Sequence, residues 1–353
     1  MEIHLIFTQN NKLKVSIFNN QFQHGDFKIC FSLVYSIQSV QGGSIVKKVG
    51  RYYEINSEQD EIFFLLQEPR IGSYNLSCGP EGLFVLDKND IQIECKINPL
   101  KFENPIPKIG YSEISDKSFN PIIPLPIISK LKKDTIQIKD LIFKISSSEK
   151  DFFDNFENLI KVSNIKFNTL KGFPIVFTKK QLQSEEYKIS IDKNLITIHY
   201  SDYGGKFYSI ISLIQLLNYY ESGLPLGLIQ DSPALNWRGM HLDCARQFYT
   251  IDEIKKLLDY MSFFKLNRFH WHLTDNEAWR VDLECYPNLT KVGAFRGYNE
   301  AIPPFYGTGY DKSGGYYSRT EVKELIEYAK LRNIEIMPEI DLPAHSWALL
   351  EIM

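Results

Sequence analysis

The last third of the chain alternates short apolar runs with helical stretches, and three of those runs end in charged or imidazole side chains. They are Asn236-Trp-Arg-Gly-Met-His-Leu-Asp-Cys-Ala-Arg246, Arg268-Phe-His-Trp-His-Leu-Thr-Asp-Asn-Glu-Ala-Trp-Arg280 and Ile334-Glu-Ile-Met-Pro-Glu-Ile-Asp-Leu-Pro-Ala-His345. Between the first two, Thr250 and Glu253 form a capping box ahead of the stripe Ile251, Ile254, Leu257, Leu258, Met261 and Phe264. Between the second and third, Ser318 and Glu321 do the same ahead of Val322, Leu325, Ile326 and Ala329. Strand, capped helix, strand predicts a parallel sheet with crossover helices. In such a repeat the loops after the strands carry the chemistry, so polar residues gathered there read as an active site.

Residues two apart on a strand share a side. His241 and Asp243, His270 and His272, and Glu339 and Asp341 therefore form three same-face pairs. If those faces meet, Asp243, Asp275, Glu339 and Asp341 come together with Arg238, His272 and His345 in one cleft. Two chemistries fit such a set. Histidines spaced as His270-Trp-His272 beside acids could bind a divalent metal, with His270, His272 and Asp341 as ligands. Alternatively, carboxylates, imidazoles and a guanidinium could position a polyol and tune a carboxylic acid. Trp237, Trp271, Trp279 and Trp347 are the only tryptophans and all lie in or beside these segments. Their position favours the sugar reading over the metal, although each one singly suits a barrel core equally well.

The rest of the chain frames this cluster. Residues 1 to about 125 read as an all-β sandwich, with short β-branched and aromatic runs such as Lys14–Phe18, Phe27–Tyr35, Ile62–Leu66 and Ile91–Ile97 between Gly, Asn and Asp turns. Pro105, Pro107, Pro121, Pro124 and Pro126 mark a linker. Residues 130–228 read as an α+β domain, with a hairpin of Tyr187–Ile191 and Leu195–His199 and a helix through Phe207–Leu217. Residues 231–353 supply the β/α repeat. With a net charge of -3 and pI near 6.2 there is no electrostatic footprint for nucleic acid. No run reaches the roughly 18 apolar residues of a membrane span. The N-terminus lacks a signal-peptide pattern, which makes the cytoplasm the default, but the compartment stays open. Two sequons, at Asn75 and Asn288, would matter only in a secretory compartment. The five cysteines show no metal or disulfide spacing, and no cofactor is expected. Oligomeric state is not legible.

Three motifs carry a family resemblance. Asn236-Trp-Arg-Gly-Met-His-Leu-Asp-Cys-Ala-Arg246, His270-Trp-His-Leu-Thr-Asp275 and Pro338-Glu-Ile-Asp-Leu-Pro-Ala-His345 closely resemble the opening of the catalytic barrel in family 20 glycoside hydrolases, the β-N-acetylhexosaminidases. Residues 130–228 resemble the α+β domain ahead of that barrel, and the first 125 the sandwich of the bacterial chitobiase branch. The resemblance implies an all-β sandwich, an α+β domain and the first part of a (β/α)8 barrel. It implies removal of terminal N-acetylglucosamine or N-acetylgalactosamine from glycans, the sugar's own acetamido oxygen attacking the anomeric carbon, an exception to the two-carboxylate scheme. By motif, Arg238 is expected to hold the sugar's 3- and 4-hydroxyls, Asp243 and His345 to support the general acid, and His272, Asp275, Glu339 and Asp341 to line the sugar site.

The sequence also departs from the family. It reads Asp275-Asn-Glu-Ala-Trp-Arg280 for the usual Asp-Asp-Glu-Gly-Trp-Arg, and Ala344 for the usual Gly. The His-x-Gly-Gly-Asp-Glu motif, which holds the acid and the residue that orients the acetamido group, does not occur in the 353 residues. Asn236–Met353 spans 118 residues, whereas an eightfold barrel takes about 250. The expectation is three or four barrel strands, a chain that hydrolyses nothing by itself, or a degenerate protein that only binds sugar.

Overall fold

The structure is a computed structural model and describes residues 1–8, 12–67, 79–102, 120–154, 165–220 and 223–352. Pro105, Pro107 and the Asn75 sequon fall outside these residues. The N-terminal third is a β-sandwich. One sheet runs Lys96–Ile97, Glu2–Thr8, Lys12–Phe18, Glu61–Leu66, Ile37–Gln41, with Lys101–Phe102 also against Glu2–Thr8. The other runs Gly43–Val49, Tyr52–Ser57, Phe27–Ser32, Glu81–Asp87, Gln92–Ile93. Ile3, Leu5 and Phe7 are buried while Glu2, His4 and Ile6 are half-exposed, the period of two that a strand requires. Val15, Ile29, Ile55, Phe64 and Val85 fill the space between the sheets. The predicted single strand Ile91–Ile97 is instead two: the chain leaves one sheet after Ile93 and joins the other at Lys96, closing one side of the sandwich.

The second unit is a seven-stranded mixed sheet in the order Ile128–Gln137, Gly223–Asp231, Tyr187–Ile191, Ile196–Tyr200, Phe173–Lys179, Ile142–Lys144, Lys166–Asn168. The expected hairpin is present, Tyr187–Ile191 pairing antiparallel with Ile196–Tyr200. Helix Tyr203–Tyr220 is buried continuously from Gly204 to Leu217 because its sequence is apolar almost all round. Its few polar groups are satisfied internally; Ser209 Oγ donates to the Lys206 carbonyl, and Gln215 Nε2 donates to the carbonyls of Ile123 and Phe263.

The third unit holds three parallel strands, Gly239–Asp243, Arg268–His272 and Glu335–Glu339, in that order. Helix Ile251–Phe263 connects the first two, and helix Arg319–Lys330 precedes the third. Both predicted capping boxes form, with reciprocal Thr250/Glu253 and Ser318/Glu321 hydrogen bonds. Leu242, Phe269, Trp271 and Ile336 pack with Ile254, Leu258, Met261, Leu325 and Ala329 of those helices. The opposite face of the same strands is left to His241, Asp243, His270, His272, Met337 and Glu339.

A long excursion, residues 273–318, separates the second strand from its following helix. Buried Arg280 ties it down, donating from Nε to the Cys244 carbonyl (2.9 Å), from Nη2 to the Ala245 carbonyl (2.8 Å) and from Nη1 to the Ala294 and Gly315 carbonyls. The excursion then packs on the sandwich, where Ile302 and Phe305 join Cys30, Tyr52, Phe84 and Leu86 in a shared core. No helix among the described residues is long and apolar enough to cross a membrane.

Candidate active site

Strand register sets the first geometry. Asp243, His272 and Glu339 are directly paired across the three strands, and one step back His241, His270 and Met337 are paired. Each row therefore lies at one level, and the Asp243–His272–Glu339 row marks the C-terminal ends.

Asp275 is the hub of the mouth. Its Oδ2 receives His272 Nε2 at 3.0 Å and lies 2.5 Å from Arg246 Nη2. Its Oδ1 receives the Asn276 amide at 2.6 Å and lies 3.0 Å from His345 Nδ1. Burial raises the Asp275 carboxyl, but hydrogen bonds from His272, the Asn276 amide and His345, with the Arg246 charge, outweigh it and hold the group well below the usual carboxylate range. His272 moves the other way. Its bond to Asp275, opposed by burial and aided by Glu339, pushes the imidazole up to about 9, so it is an imidazolium at neutral pH. That cation bridges Asp275 through Nε2 and Glu339 through Nδ1, 2.9 Å from Oε2. The second contact is off hydrogen-bond direction and acts as an ion pair. Asp243 accepts the Ala245 and Arg246 amides on Oδ1 and the Arg246 guanidinium on Oδ2 at 2.6 Å, an Asx turn that aims Arg246 inward. Asp341 completes the rim, its amide donating to Thr274 Oγ1 and its carboxylate close to Asp275 and His345.

Glu339 collects histidines. His270 Nε2, His272 Nδ1 and His241 Nε2 lie 2.7, 2.9 and 3.5 Å from the same Oε2. Burial opposes the result, but the His272 ion pair, with His270 and His241 beside it, holds the carboxyl below its ordinary value. Three sets of donors lie close enough to share a cation: His241, His270 and Glu339; His272, Glu339 and Asp341; Asp275, Asp341 and His345. The predicted ligand trio His270, His272 and Asp341 is not among them: the first and last belong to different sets.

Two residues absent from the sequence-derived site belong to it. Arg246 reaches Asp243, Asp275 and, at 3.5 Å from Nε, Glu277. Its signal was its place three residues past a strand-end Asp. Glu277 is 8% exposed, and desolvation, with the Asp275 charge beside it and Arg246 opposing, pushes its carboxyl up to about 7. That value puts Glu277 in the range of a group that exchanges a proton near neutrality. Its place in the Asp275-Asn-Glu-Ala-Trp-Arg280 segment was visible in the sequence, but its shift comes from burial, which the sequence does not show.

Arg238 is the correction. It precedes the first strand, roughly 16 Å of extended chain from Asp243. It lies in the seam with the α+β domain, where Nε donates to the Lys265 carbonyl, Nη1 to the Leu235 carbonyl and Nη2 to Glu185 Oε2, each at 2.7 Å. All its donors face away from the mouth, so it cannot hold a sugar there. A cavity does open beside it, between Tyr208, Lys265, Leu125 and Leu235, but its cations are already paired with Glu185 and Asp231. The tryptophans divide as well. Trp271 and Trp279 are core, Trp237 lies at the Arg238 end beneath Arg268, and Trp347 packs at a tilt against Phe305, its amide donating to Asn276 Oδ1.

The family model described as "Glycosyl hydrolase family 20, catalytic domain" matches residues 235–353, and that described as "Glycosyl hydrolase family 20, domain 2" matches residues 129–232. The chain belongs to glycoside hydrolase family 20. A β-hexosaminidase of Vibrio furnissii is 38% identical over 181 residues, which are 51% of this chain and 30% of that protein. The N,N'-diacetylchitobiase of Vibrio harveyi is 39% identical over 188 residues, 51% of this chain and 21% of that protein. Among solved structures, the family 20 exo β-N-acetylglucosaminidase of Vibrio harveyi in complex with N-acetylglucosamine superposes with a TM-score of 0.83 at 25% identity, covering 99% of this chain and 58% of that one. The β-N-acetylhexosaminidase of Bacteroides fragilis matches with a TM-score of 0.56 at 32% identity, covering 66% of this chain and 47% of that one. The chain thus spans less than a third of the curated relatives' length. The family 20 match to the catalytic domain contains every residue of the mouth, from Asp243 to His345.

Proposed function

We propose that this chain builds the terminal-sugar side of a β-N-acetylhexosaminidase site, and that the whole protein removes terminal N-acetylhexosamine from β-linked glycans. One observation carries the reading: Arg246, Asp243, Asp275 and His345 form a continuous charged hydrogen-bonding surface at the strand ends of a family 20 catalytic domain. A guanidinium with carboxylates beside it matches the vicinal hydroxyls of a pyranose, donors and acceptors alternating as the sugar's do. In this reading Arg246, not Arg238, holds the hydroxyls of the terminal sugar. Charged His272 fixes the ionised state of Asp275 and Glu339, leaving Glu277 as the carboxyl that carries a proton near pH 7.

Hydrolysis needs a positioned acid for the leaving oxygen, worth about 10²–10⁴-fold, and an oriented acetamido group. The Asp-Glu pair that serves these ends in the family is not in these 353 residues. The chain by itself is therefore proposed to bind N-acetylglucosamine without turning over its nitrophenyl glycoside. Calorimetry with N-acetylglucosamine on the parent and Arg246→Ala tests the sugar site, and nitrophenol release tests turnover. Equal affinities in parent and variant would remove Arg246 from the site. Nitrophenol release lost in Glu277→Gln would make Glu277 an acid and end the non-hydrolytic reading.

A further inference from the structure

One carboxylate oxygen of the three-stranded sheet is crowded by imidazole nitrogens and bonded to none of them. Glu339 Oε2 has His270 Nε2 at 2.7 Å, His272 Nδ1 at 2.9 Å and His241 Nε2 at 3.5 Å, yet it is shut off from solvent and accepts no hydrogen bond. An imidazolium that neutralised it by a hydrogen bond would turn an N–H onto the oxygen, and none of the three does. His272 has its own anchor, Nε2 against Asp275. Charging both other rings as well would set like charges side by side, their centres 4.8 Å apart. A cation among the donors satisfies the oxygen without that cost.

The sheet itself builds the donor set. His241 and His270 are register partners on adjacent strands, and Glu339 stands one step further along the third. Each strand gives one donor, on the face turned away from the helices. The two rings are close to perpendicular, and the three donor atoms lie within 4.8 Å of one another. In a tetrahedral zinc site, ligand atoms about 2.0–2.2 Å from the ion stand roughly 3.3 Å apart. The His241 contact is already near that spacing, and the His270 contact needs a small turn of its ring. Both imidazoles are half-exposed, which gives an ion a way in.

We propose that His241, His270 and Glu339 bind a divalent transition metal ion, with zinc as the fitting case, that clamps the three strands just below the mouth. Two imidazoles and a carboxylate favour such an ion over magnesium or calcium, which take oxygen ligands. The set differs from the trio His270, His272 and Asp341 expected from spacing, because strand register puts His241 beside His270. It does not rest on the sugar reading, since Arg246, Asp243, Asp275 and His345 are not among the ligands.

The test is zinc titration of the untagged 353-residue chain after chelator treatment and desalting, read by calorimetry and by metal analysis of the recovered protein. One zinc per chain should be retained, and magnesium should not displace it. Losing an outer partner of a ligand costs about 10–100-fold in metal affinity, so losing a ligand should cost at least as much. His241→Asn, His270→Asn and Glu339→Gln should therefore each weaken zinc binding by at least about tenfold. His241→Asn decides if Glu339→Gln fails to fold, because its half-exposed ring is outside the core between sheet and helices. Cobalt in place of zinc should give the visible absorption of a tetrahedral site in the parent and lose it in His241→Asn. A parent that retains no zinc, or three variants that bind it as tightly as the parent, overturns the proposal. So does binding lost in Asp341→Asn but kept in His241→Asn, which would put the ion in one of the rim sets that contain Asp341.

Discussion

Arg238 and Arg246 are eight residues apart around one strand and serve opposite ends of it. Arg238 and Glu185 are an ion pair shielded from solvent, with Asn333 Nδ2 and Tyr208 also bonded into it. Arg238→Ala would leave the Glu185 carboxylate in that seam without its cation. Breaking such a pair costs about 3–5 kcal/mol, so denaturant unfolding of this variant should show that loss while affinity for N-acetylglucosamine is kept. Retained stability would show that the seam relaxes without it. The titrating groups of the mouth make a separate prediction. Glu277 and His272 both have folded-state values above their ordinary ones of 4.5 and 6.5. These two groups therefore hold more protons in the folded chain than in the unfolded one, and their contribution to stability falls as pH rises. The Glu277 contribution is complete below about pH 4.5 and lost as pH passes 7; that of His272 is complete below 6.5 and lost through 9. Glu277→Gln should flatten the slope of unfolding midpoint against pH between 5 and 7 and leave the 7–9 segment intact. Asp275 and His345 were expected in the cleft as strand-end residues and not from spacing; period-two spacing placed Asp243, His272 and Glu339 on one face, where the register pairs them. It could not say which end of the strand an arginine just outside it would serve, and it carried no trace of Glu277, whose state is set by what covers it.

At the scale of elements, local chemistry was legible wherever it was self-contained. The two capping boxes are written in four residues each and form as read, because cap and partner are three positions apart and need nothing else. The strand through Ile91–Ile97 was misread for the converse reason: β propensity says a segment is extended but not which sheet takes it, and here tertiary pairing splits it. Ser318→Ala offers a clean measure of a cap. It removes the hydroxyl that accepts the Glu321 amide and leaves helix Arg319–Lys330 with unsatisfied amides at its start. A cost of about 1 kcal/mol by chemical denaturation is expected, with the mouth unaffected. A cost near zero would mean that Leu325 and Ala329, packed in the core, hold the helix without it.

For the whole molecule the decisive contact is between the sandwich and the excursion 273–318, and no sequence rule reaches it, since its two sides are more than two hundred residues apart. Gly82 sits at its centre. Its φ is +59°, and a Cβ added there would lie 2.6 Å from the Gly307 carbonyl carbon and 2.7 Å from the Gly309 nitrogen, both backbone atoms with no side chain to swing aside. Gly82→Ala would therefore be strained on its own strand, at about 1–2 kcal/mol for the left-handed conformation, and would also push the 307–309 segment outward. Val85, Leu86 and Phe84 continue the same strand into two cores, so the sandwich itself should survive. Hydrogen exchange separates the possibilities. Amides of residues 298–310 should exchange faster in Gly82→Ala, while amides of Ile29 and Val85 inside the sandwich keep their protection. Faster exchange throughout the sandwich would mean that the strand failed, not the docking. Unchanged exchange at 298–310 would show that the excursion is held by Arg280 and its own hairpins alone.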